Sequence, residues 1–180
     1  HIFIFSKKSK QREFFSNFRI LKTKLLCIII LVENNLTIAV AESCTGGKAA
    51  AALVDVADAS KVLDVSFVTY ANEAKIQYLG VKPETIEEFG VVSEQVAYQM
   101  AEGVARQAHS EVGVGITGIA GPTGGTQEKP IGMVCFGFCV DGKVVTSTQY
   151  FGNIGRNEVR CASVHYVYEQ LQELLHPCTA

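Results

Sequence analysis

The sequence has no long hydrophobic run, and its longest uninterrupted apolar stretch, Leu25–Val32, covers eight residues. A helix that crosses a membrane needs about 20 apolar residues, so we expect a soluble protein. An excess of one charge is also lacking: 16 basic and 18 acidic residues leave a net charge of −2, which does not favour nucleic-acid binding. With 48% hydrophobic and 19% charged residues among 180, the composition is that of one folded domain and not of a disordered chain.

The cysteine and histidine patterns typical of zinc sites are missing as well. The six cysteines are widely spaced, no Cys-x-x-Cys pair occurs, and the four histidines do not cluster along the chain. Structural zinc sites usually need such pairs, so we expect no metal. The cysteines are predicted to be reduced, buried thiols of a cytoplasmic protein and not a disulfide framework.

Basic residues are concentrated at the start of the chain. Residues 1–25 contain seven basic side chains and one acidic side chain, so the remainder is acidic overall. We interpret residues 1–20 as a basic extension outside the fold, either a solvated tail or a binding arm, with the tail favoured. A single domain is expected over residues 21–176, because no repeat or linker interrupts them.

Helical and strand-like segments alternate along this domain. Apolar spacing predicts helices over 21–32, 48–56, 72–79, 83–89, 93–109 and 156–175, and strands over 36–41, 65–70, 111–117, 131–140 and 143–151. Asp141-Gly142 predicts a tight hairpin between the last two strands. Gly113 and Gly115 leave one face of their strand bare, so another element should pack against it. We therefore expect an α/β fold: a three-layer α/β/α sandwich with a mixed, mostly parallel sheet, a C-terminal hairpin and a final helix.

Ser43, between a buried strand and an Ala-rich helix, is the first candidate for chemistry. Such a turn places a hydroxyl near the positive end of the helix dipole, and the N–H groups of the following residues could hold an oxyanion. Two alternatives stay open from the spacing alone. Ser43 or Thr45 could simply cap the helix, which is the commoner role of these residue types. Cys44 could be a rival nucleophile, although its side chain should face elsewhere.

A serine nucleophile needs a base, and no histidine is well placed for a Ser-His-Asp triad. A lysine can serve instead if burial keeps it neutral. Lys75 stands out because it lies on a short helix just after the strand that ends at Tyr70, whose phenol could relay or orient a proton. Spacing alone favours the plainer alternatives, in which Lys75 is a surface lysine and Tyr70 a half-buried aromatic residue.

Two further features could bind an anion. The glycine-rich segment Thr117–Gly125 offers many unencumbered backbone N–H groups, although it matches no standard phosphate-binding motif and could be only a connecting loop. Arg156 and Arg160 lie four residues apart in the first turns of the last helix. There they oppose the helix dipole, unless they bind an anion or pair with an acid such as Glu158. Together these features indicate a substrate that carries a phosphate.

Several long motifs, in this order, resemble the CinA C-terminal domain family. They are AESCTGG (41–47), TYANEAKIQYLGV (69–81), VSEQVAYQMAEG (92–103) and GITGIAGPTGGTQEKPIG (115–132). The resemblance covers about residues 22–175, nearly the whole predicted domain. Stand-alone members of the family are nicotinamide-nucleotide amidases. The resemblance therefore implies hydrolysis of nicotinamide mononucleotide to nicotinate mononucleotide and ammonia, within pyridine-nucleotide salvage.

Carried over by motif, the resemblance implies Ser43 as the nucleophile, with Lys75 and Tyr70 as the base and its partner. The family's arginine falls at Arg156 or Arg160, because the Gly-Asp-Arg that usually precedes the last helix lacks its aspartate here. The expected substrate-binding residues are Thr45, Gly46, Thr117, Gly118, Gly121, Arg156 and Arg160. This chemistry needs no cofactor and no metal.

The expected partner is a small-molecule nucleotide, with no nucleic acid and no membrane, and the chain is expected to form a homo-oligomer in the cytoplasm. Two other functions stay open. A CinA-like domain could bind a nucleotide or a protein without turnover, since a fold does not guarantee an activity. A serine–lysine amidase could also act on another nucleotide-like amide.

Overall fold

The structure, a computed structural model, describes residues 22–175, and the extension predicted for residues 1–20 lies outside this range. The helices are α1 (22–33), α2 (Lys48–Val54), α3 (Asn72–Leu79), α4 (Pro83–Phe89), α5 (Glu94–Ala108) and α6 (Arg156–Leu175), with a 3₁₀ turn at Ala59–Lys61. The strands are β1 (Ile38–Glu42), β2 (Phe67–Val68), β3 (Val112–Gly118), β4 (Met133–Val140) and β5 (Lys143–Tyr150).

The strands form one mixed sheet in the order β2-β1-β3-β4-β5. β1 pairs in parallel with β2 and β3, whereas β3 with β4 and β4 with β5 pair antiparallel. The antiparallel half includes the predicted hairpin, where Asp141 and Gly142 both have the positive φ that this tight turn requires. The predicted α/β class and mixed sheet are confirmed, and parallel pairing is confined to the β2-β1-β3 half.

Helices cover both faces of the sheet, as the predicted three-layer sandwich requires. On one face, α1, α2 and α6 pack against strand residues such as Val40, Val114 and Phe136. On the other face, α3 and α5 pack against Ala39 and Ala41. Successive residues of β1 therefore enter two different cores, which explains why this strand is apolar without alternation.

The glycines of β3 allow α5 to lie directly against the strand backbone. A methyl group on Gly115 would lie 2.5 Å from the carbonyl oxygen of Ala97 and 2.7 Å from the nitrogen of Ala101, both in α5. Gly113, two residues earlier on the same face, meets Ala101 and Ala105. The prediction that another element packs against the bare face of this strand is confirmed.

The strand predicted over residues 65–70 is much shorter in the structure, where only Phe67–Val68 pairs with β1. β2 is an edge strand, so it has a single neighbour, and Val68 is 56% exposed. Directly after it, the carbonyl oxygens of Thr69 and Tyr70 accept hydrogen bonds from Lys75 Nζ. The N–H of Thr69 still donates to the carbonyl of Glu42 at the end of β1.

Five cysteines lie within the described range, and all five are free thiols. Cys27, Cys44, Cys135 and Cys139 are buried, as predicted, whereas Cys161 is exposed on α6. Among the helices between residues 22 and 175, none has both the length and the apolar character needed to cross a bilayer.

Candidate active site

A cavity of about 440 Å³ opens at the carboxyl ends of the parallel strands. Ser43 follows β1, Tyr70 follows β2 and Gly118 ends β3. Ligands of α/β proteins usually bind at this edge of the sheet, and the volume falls in the range of roughly 300–1,000 Å³ seen for small-molecule sites. The lining residues are Ser43, Cys44, Tyr70, Gly90, Val91, Val92, Gly118, Ile119, Ala120, Gly121, Thr123, Gly124, Thr126, Lys129 and Arg156.

Ser43 and Lys75 come together at this cavity although 32 residues separate them. The Ser43 hydroxyl oxygen lies 3.3 Å from Lys75 Nζ. Ser43 is held by the sheet, because its N–H donates to the carbonyl of Ile116 in β3. Ser43 lines the cavity and is 9% exposed, whereas Lys75, on α3, is fully buried. The two predicted residues therefore form a hydrogen-bonded pair, with the serine on the ligand side.

The surroundings of Lys75 favour its neutral form. Burial lowers the pKa of Lys75 because water no longer solvates its charge, and the nearby carboxylate of Glu73 opposes this effect only in part. Lys75 Nζ donates to the carbonyl oxygens of Thr69, at 2.8 Å, and Tyr70, at 3.2 Å. A neutral amine has two hydrogens and one lone pair. With both hydrogens on these carbonyls, the lone pair is left for the hydroxyl of Ser43.

Glu42, directly before Ser43, caps the helix that follows. Its buried carboxylate accepts hydrogen bonds from the N–H groups of Gly47, Ala49 and Ala50 at 2.9–3.1 Å. These N–H groups begin α2, so the positive end of that helix dipole is paired with Glu42. Gly47 occupies the N-cap position, and no side chain caps from there. The alternative in which Ser43 or Thr45 caps this helix is therefore wrong.

The two residues that follow Ser43, Cys44 and Thr45, are the candidates for an oxyanion hole, and of these Cys44 lines the cavity. The N–H of Gly46 donates to the carbonyl of Ser43, and those at the start of α2 donate to Glu42. In the described part of the chain, the N–H groups of Cys44 and Thr45 have no acceptor in another residue. Adjacent free N–H groups beside a nucleophile are the usual elements of an oxyanion hole.

The side chain of Cys44 belongs to the hydrophobic core between the sheet and α2. It is 6% exposed, and burial raises the pKa of its thiol to about 12. Because the thiolate is the reactive form of cysteine, this environment disfavours Cys44 as a nucleophile. The geometry thus favours Ser43 of the two neighbouring candidates.

The backbone of Tyr70, and not its phenol, contacts Lys75. Tyr70 is 63% exposed, and its hydroxyl accepts a hydrogen bond from Arg156 at 3.3 Å. Another nitrogen of Arg156 donates to the carbonyl of Gly121 at 2.8 Å. The structure therefore places the phenol with the arginine at the cavity wall, away from the base that it was expected to serve.

Arg156 and Arg160 have different surroundings although they lie one turn apart on α6. Arg156 lines the cavity. Arg160 is not among the lining residues, and its guanidinium donates to the carbonyl of Thr45 at 2.8 Å and to Asn157 at 3.3 Å. Gly46, also outside the lining, lies against the same guanidinium. Arg160 thus supports the turn after Ser43, and of the two arginines only Arg156 faces the cavity.

The remaining predicted binding residues also divide into two groups. Gly118 and Gly121 line the cavity. Thr45 and Thr117 are both buried, and the Thr117 hydroxyl donates to the carbonyl of Val91 at 2.8 Å. The glycines can meet a substrate directly, whereas the Thr117 hydroxyl joins β3 to residue 91. The buried Thr45 hydroxyl has no hydrogen-bond partner among the described residues.

Two residues of this site were missed by sequence reasoning. Glu42 shapes the Ser43 turn. The sequence feature that could have identified it is an acidic residue shortly before a helix whose N-cap, Gly47, has no side chain. Lys129 lines the cavity, and its Nζ donates to the carbonyl oxygens of Phe89 and Val92. Its signal was a single lysine four residues after the end of the glycine-rich segment.

The polar groups that the cavity offers are a serine hydroxyl, a phenol, two threonine hydroxyls, two cations and backbone groups. None of the lining residues is a histidine or a carboxylic acid. Between residues 22 and 175, no group of three or more histidine, cysteine or acidic side chains is arranged to hold a metal ion. The chemistry best supported by these groups is nucleophilic attack by serine with a lysine base.

The chain is similar to a known family and to several known proteins. The model of the CinA C-terminal domain family matches residues 22–175. A CinA-like protein of Kosmotoga olearia is 44% identical over 152 residues, which are 84% of this chain and 37% of that protein. The chain spans about a third of the length of the curated relatives it matches.

Solved structures share the fold. The competence/damage inducible protein CihA of Agrobacterium tumefaciens matches with a TM-score of 0.84 and 42% identity, over 86% of this chain and 94% of that one. A competence-damaged protein (CinA) superfamily protein of Escherichia coli matches with a TM-score of 0.83 and 34% identity, over 86% of this chain and 90% of that one.

Proposed function

We propose, because this chain belongs to the CinA C-terminal domain family, that it is an amidase which converts nicotinamide mononucleotide to nicotinate mononucleotide and ammonia. The observation that carries the proposal is the position of Lys75 Nζ, which lies 3.3 Å from Ser43 Oγ and between two backbone carbonyls. This arrangement activates a serine without a histidine. We place the activity in the cytoplasm, where free thiols are usual. The homo-oligomer stays a prediction.

In the first proposed step, Ser43 Oγ attacks the carboxamide carbon while its proton passes to Lys75 Nζ. The C–N bond stays intact, and the carbonyl oxygen becomes an oxyanion held by the N–H groups of Cys44 and Thr45. The positive pyridinium ring of the substrate makes this carbon more electrophilic. A charged lysine would repel the positive ring. The neutral form of Lys75 therefore favours substrate binding as well as proton transfer.

In the second step, the oxyanion collapses and the C–N bond breaks. Lys75 returns its proton to the departing nitrogen, which leaves as ammonia, and Ser43 keeps the acyl group as an ester. Lys75 then takes a proton from a water molecule that attacks the ester. The nicotinate carboxylate is released, and Ser43 regains its proton. One lysine thus serves as base and acid in turn.

The other side of the cavity suits the phosphate of the nucleotide. Arg156 lines it together with the glycine-rich loop, including Gly118 and Gly121. A guanidinium forms strong, charge-assisted hydrogen bonds to phosphate, and glycines let backbone N–H groups approach it. We therefore expect the nucleotide to be preferred over its riboside and over free nicotinamide.

The test measures ammonia released by the purified protein from nicotinamide mononucleotide, the riboside and nicotinamide. We expect turnover of the nucleotide, and a loss of roughly 10⁴–10⁶-fold in kcat for Ser43→Ala, as found when a serine nucleophile is removed. Cys44→Ala is the matched control and should keep most of the activity. Tight nucleotide binding without ammonia release would support the non-catalytic alternative, and an active Ser43→Ala variant would overturn the mechanism.

A further inference from the structure

The cavity contains a second cation for which the proposed mechanism has no role. Lys129 lines it together with Arg156, and none of the lining residues is acidic. The sequence indicated a pair of arginines, but Arg160 donates to the carbonyl of Thr45 and is not among the lining residues. The fold thus pairs Arg156 with a lysine from a different loop.

Lys129 is held in a way that leaves part of its hydrogen-bonding capacity unused. Its Nζ donates to the carbonyl of Val92, at 2.8 Å, and to the carbonyl of Phe89. A lysine ammonium has three N–H donors, so one remains for a ligand. A methyl group on Gly90 would lie 2.7 Å from this nitrogen, which shows that the ammonium rests against the backbone of the 89–92 segment. The side chain is therefore fixed before any ligand arrives.

The charge of the cavity matches a dianion. The two lining cations come from different segments, Arg156 from the start of α6 and Lys129 from the residues between the glycine-rich segment and β4. A phosphomonoester carries nearly two negative charges at pH 7, whereas a carboxylate carries one. Two cations without an acidic partner in the lining balance the charge of a phosphomonoester better than that of a carboxylate.

We propose that Lys129 is a substrate-binding residue that, together with Arg156, contacts a phosphomonoester group and so selects phosphorylated amides over their unphosphorylated counterparts. The proposal rests on the proposed function for the identity of the reaction. The competing explanation is that Lys129 only joins residues 89–92 to the glycine-rich loop. A structural tie of this kind would affect phosphorylated and unphosphorylated substrates alike.

The experiment compares Lys129→Met with Lys143→Met in the full chain. Lys143 starts β5 beside the Asp141-Gly142 hairpin, and it is not among the cavity residues. For Lys129→Met we expect kcat/KM for nicotinamide mononucleotide to fall by roughly 10-fold or more, which is the loss of one charge-assisted contact. Turnover of the riboside should change less than about 2-fold. Lys143→Met should leave both unchanged.

A binding measurement keeps this test independent of turnover. Calorimetry with the Ser43→Ala protein, with and without Lys129→Met, gives the Kd of the nucleotide and of the riboside. We expect the protein with Lys129 to bind the nucleotide with a lower Kd than the riboside, and Lys129→Met to remove much of that difference. Equal losses for both ligands, or no preference of the parent protein for the nucleotide, would overturn the role of Lys129. Absence of ammonia release with a phosphate-dependent Kd would overturn only the proposed reaction.

Discussion

The two sides of the cavity are built in opposite ways. On the reaction side, Ser43 and Lys75 are almost without solvent exposure, and the sheet and backbone carbonyls satisfy their hydrogen bonds. On the recognition side, Arg156 is exposed and Lys129 is half-buried, and both are carried by loops or a helix start. The same residue type, lysine, therefore occurs in two environments within one site.

The difference between these environments follows from the charge that each lysine needs. A base has to be neutral in order to accept a proton. Burial disfavours the charged ammonium form and so lowers the pKa of Lys75. A residue that binds an anion has different requirements, and Lys129 is only half-buried, whereas Lys75 is fully buried. Substitutions that exchange or remove these environments test the difference between the two lysines.

After Ser43→Ala, Lys75→Arg should have the largest effect among the variants of the two sides. Arginine keeps the positive charge but does not deprotonate in proteins, so it cannot accept the proton of Ser43. We expect kcat to fall by roughly 10²–10⁴-fold, as for other missing acid–base groups. Steady-state ammonia release measures this loss. Near-normal turnover would mean that Lys75 only holds Ser43 in position.

The protonation of Lys75 can be checked without turnover. The unfolded chain keeps a proton on this lysine up to about pH 10.5, whereas the folded chain loses it at lower pH. Between these two values the unfolded state binds more protons, so the free energy of unfolding rises with pH, by at most about 1.4 kcal/mol per pH unit. Urea unfolding of Lys75→Met should lack this component. An unchanged slope would show that Lys75 is charged in the fold.

Arg156→Ala and Arg160→Ala separate the recognition side from the reaction side. Arg156→Ala should lower kcat/KM for the nucleotide by roughly 10- to 150-fold and barely change the riboside, because it removes a charge-assisted contact with phosphate. Arg160→Ala should lower kcat/KM by the same factor for both substrates, since it loosens the turn that carries Thr45 and Ser43. If Arg156→Ala also lowered kcat/KM equally for the nucleotide and the riboside, the cavity would not contain a separate phosphate-binding side.

Tyr70→Phe should have the smallest effect. It removes one hydrogen bond between the phenol and Arg156, which contributes about 0.5–1.5 kcal/mol, or roughly 2- to 10-fold in affinity. Kinetics with the nucleotide and the riboside should show this loss for the nucleotide only. A loss of kcat for both substrates with a shifted pH profile would instead indicate that the phenol relays a proton to Lys75.

Much of the fold could be predicted from local patterns. The helix of α5 followed from its apolar spacing and from Ser93, whose hydroxyl accepts the N–H of Val96 in the structure. The Asp141-Gly142 hairpin followed from turn chemistry alone. The length of β2 could not be predicted, because the residues beside it have partners distant in sequence. The Ser66 hydroxyl accepts the N–H of Val40, and the carbonyls of Thr69 and Tyr70 accept from Lys75, contacts that local apolar spacing does not reveal.

The site was predicted less evenly than the fold. Spacing suggested Ser43, and only the family resemblance favoured Lys75, because a buried lysine and a surface lysine have the same local pattern. Glu42 was missed because it accepts hydrogen bonds from the N–H groups at the start of α2 although it lies five residues before the N-cap. The usual acceptor for such groups is a Ser, Thr, Asp or Asn side chain at the N-cap itself. Lys129 was missed because the loop that carries it has no regular period.

The sequence by itself determined the alternation of helices and strands, the hairpin, the bare face of β3 and the spacing of Arg156 and Arg160. These depend on side-chain period and on backbone preferences of a few neighbouring residues. Only the tertiary structure decided which cation faces the ligand, which N–H groups stay free and which lysine becomes a base. Each of these depends on burial and on partners distant in sequence, and both come from how the layers pack against each other.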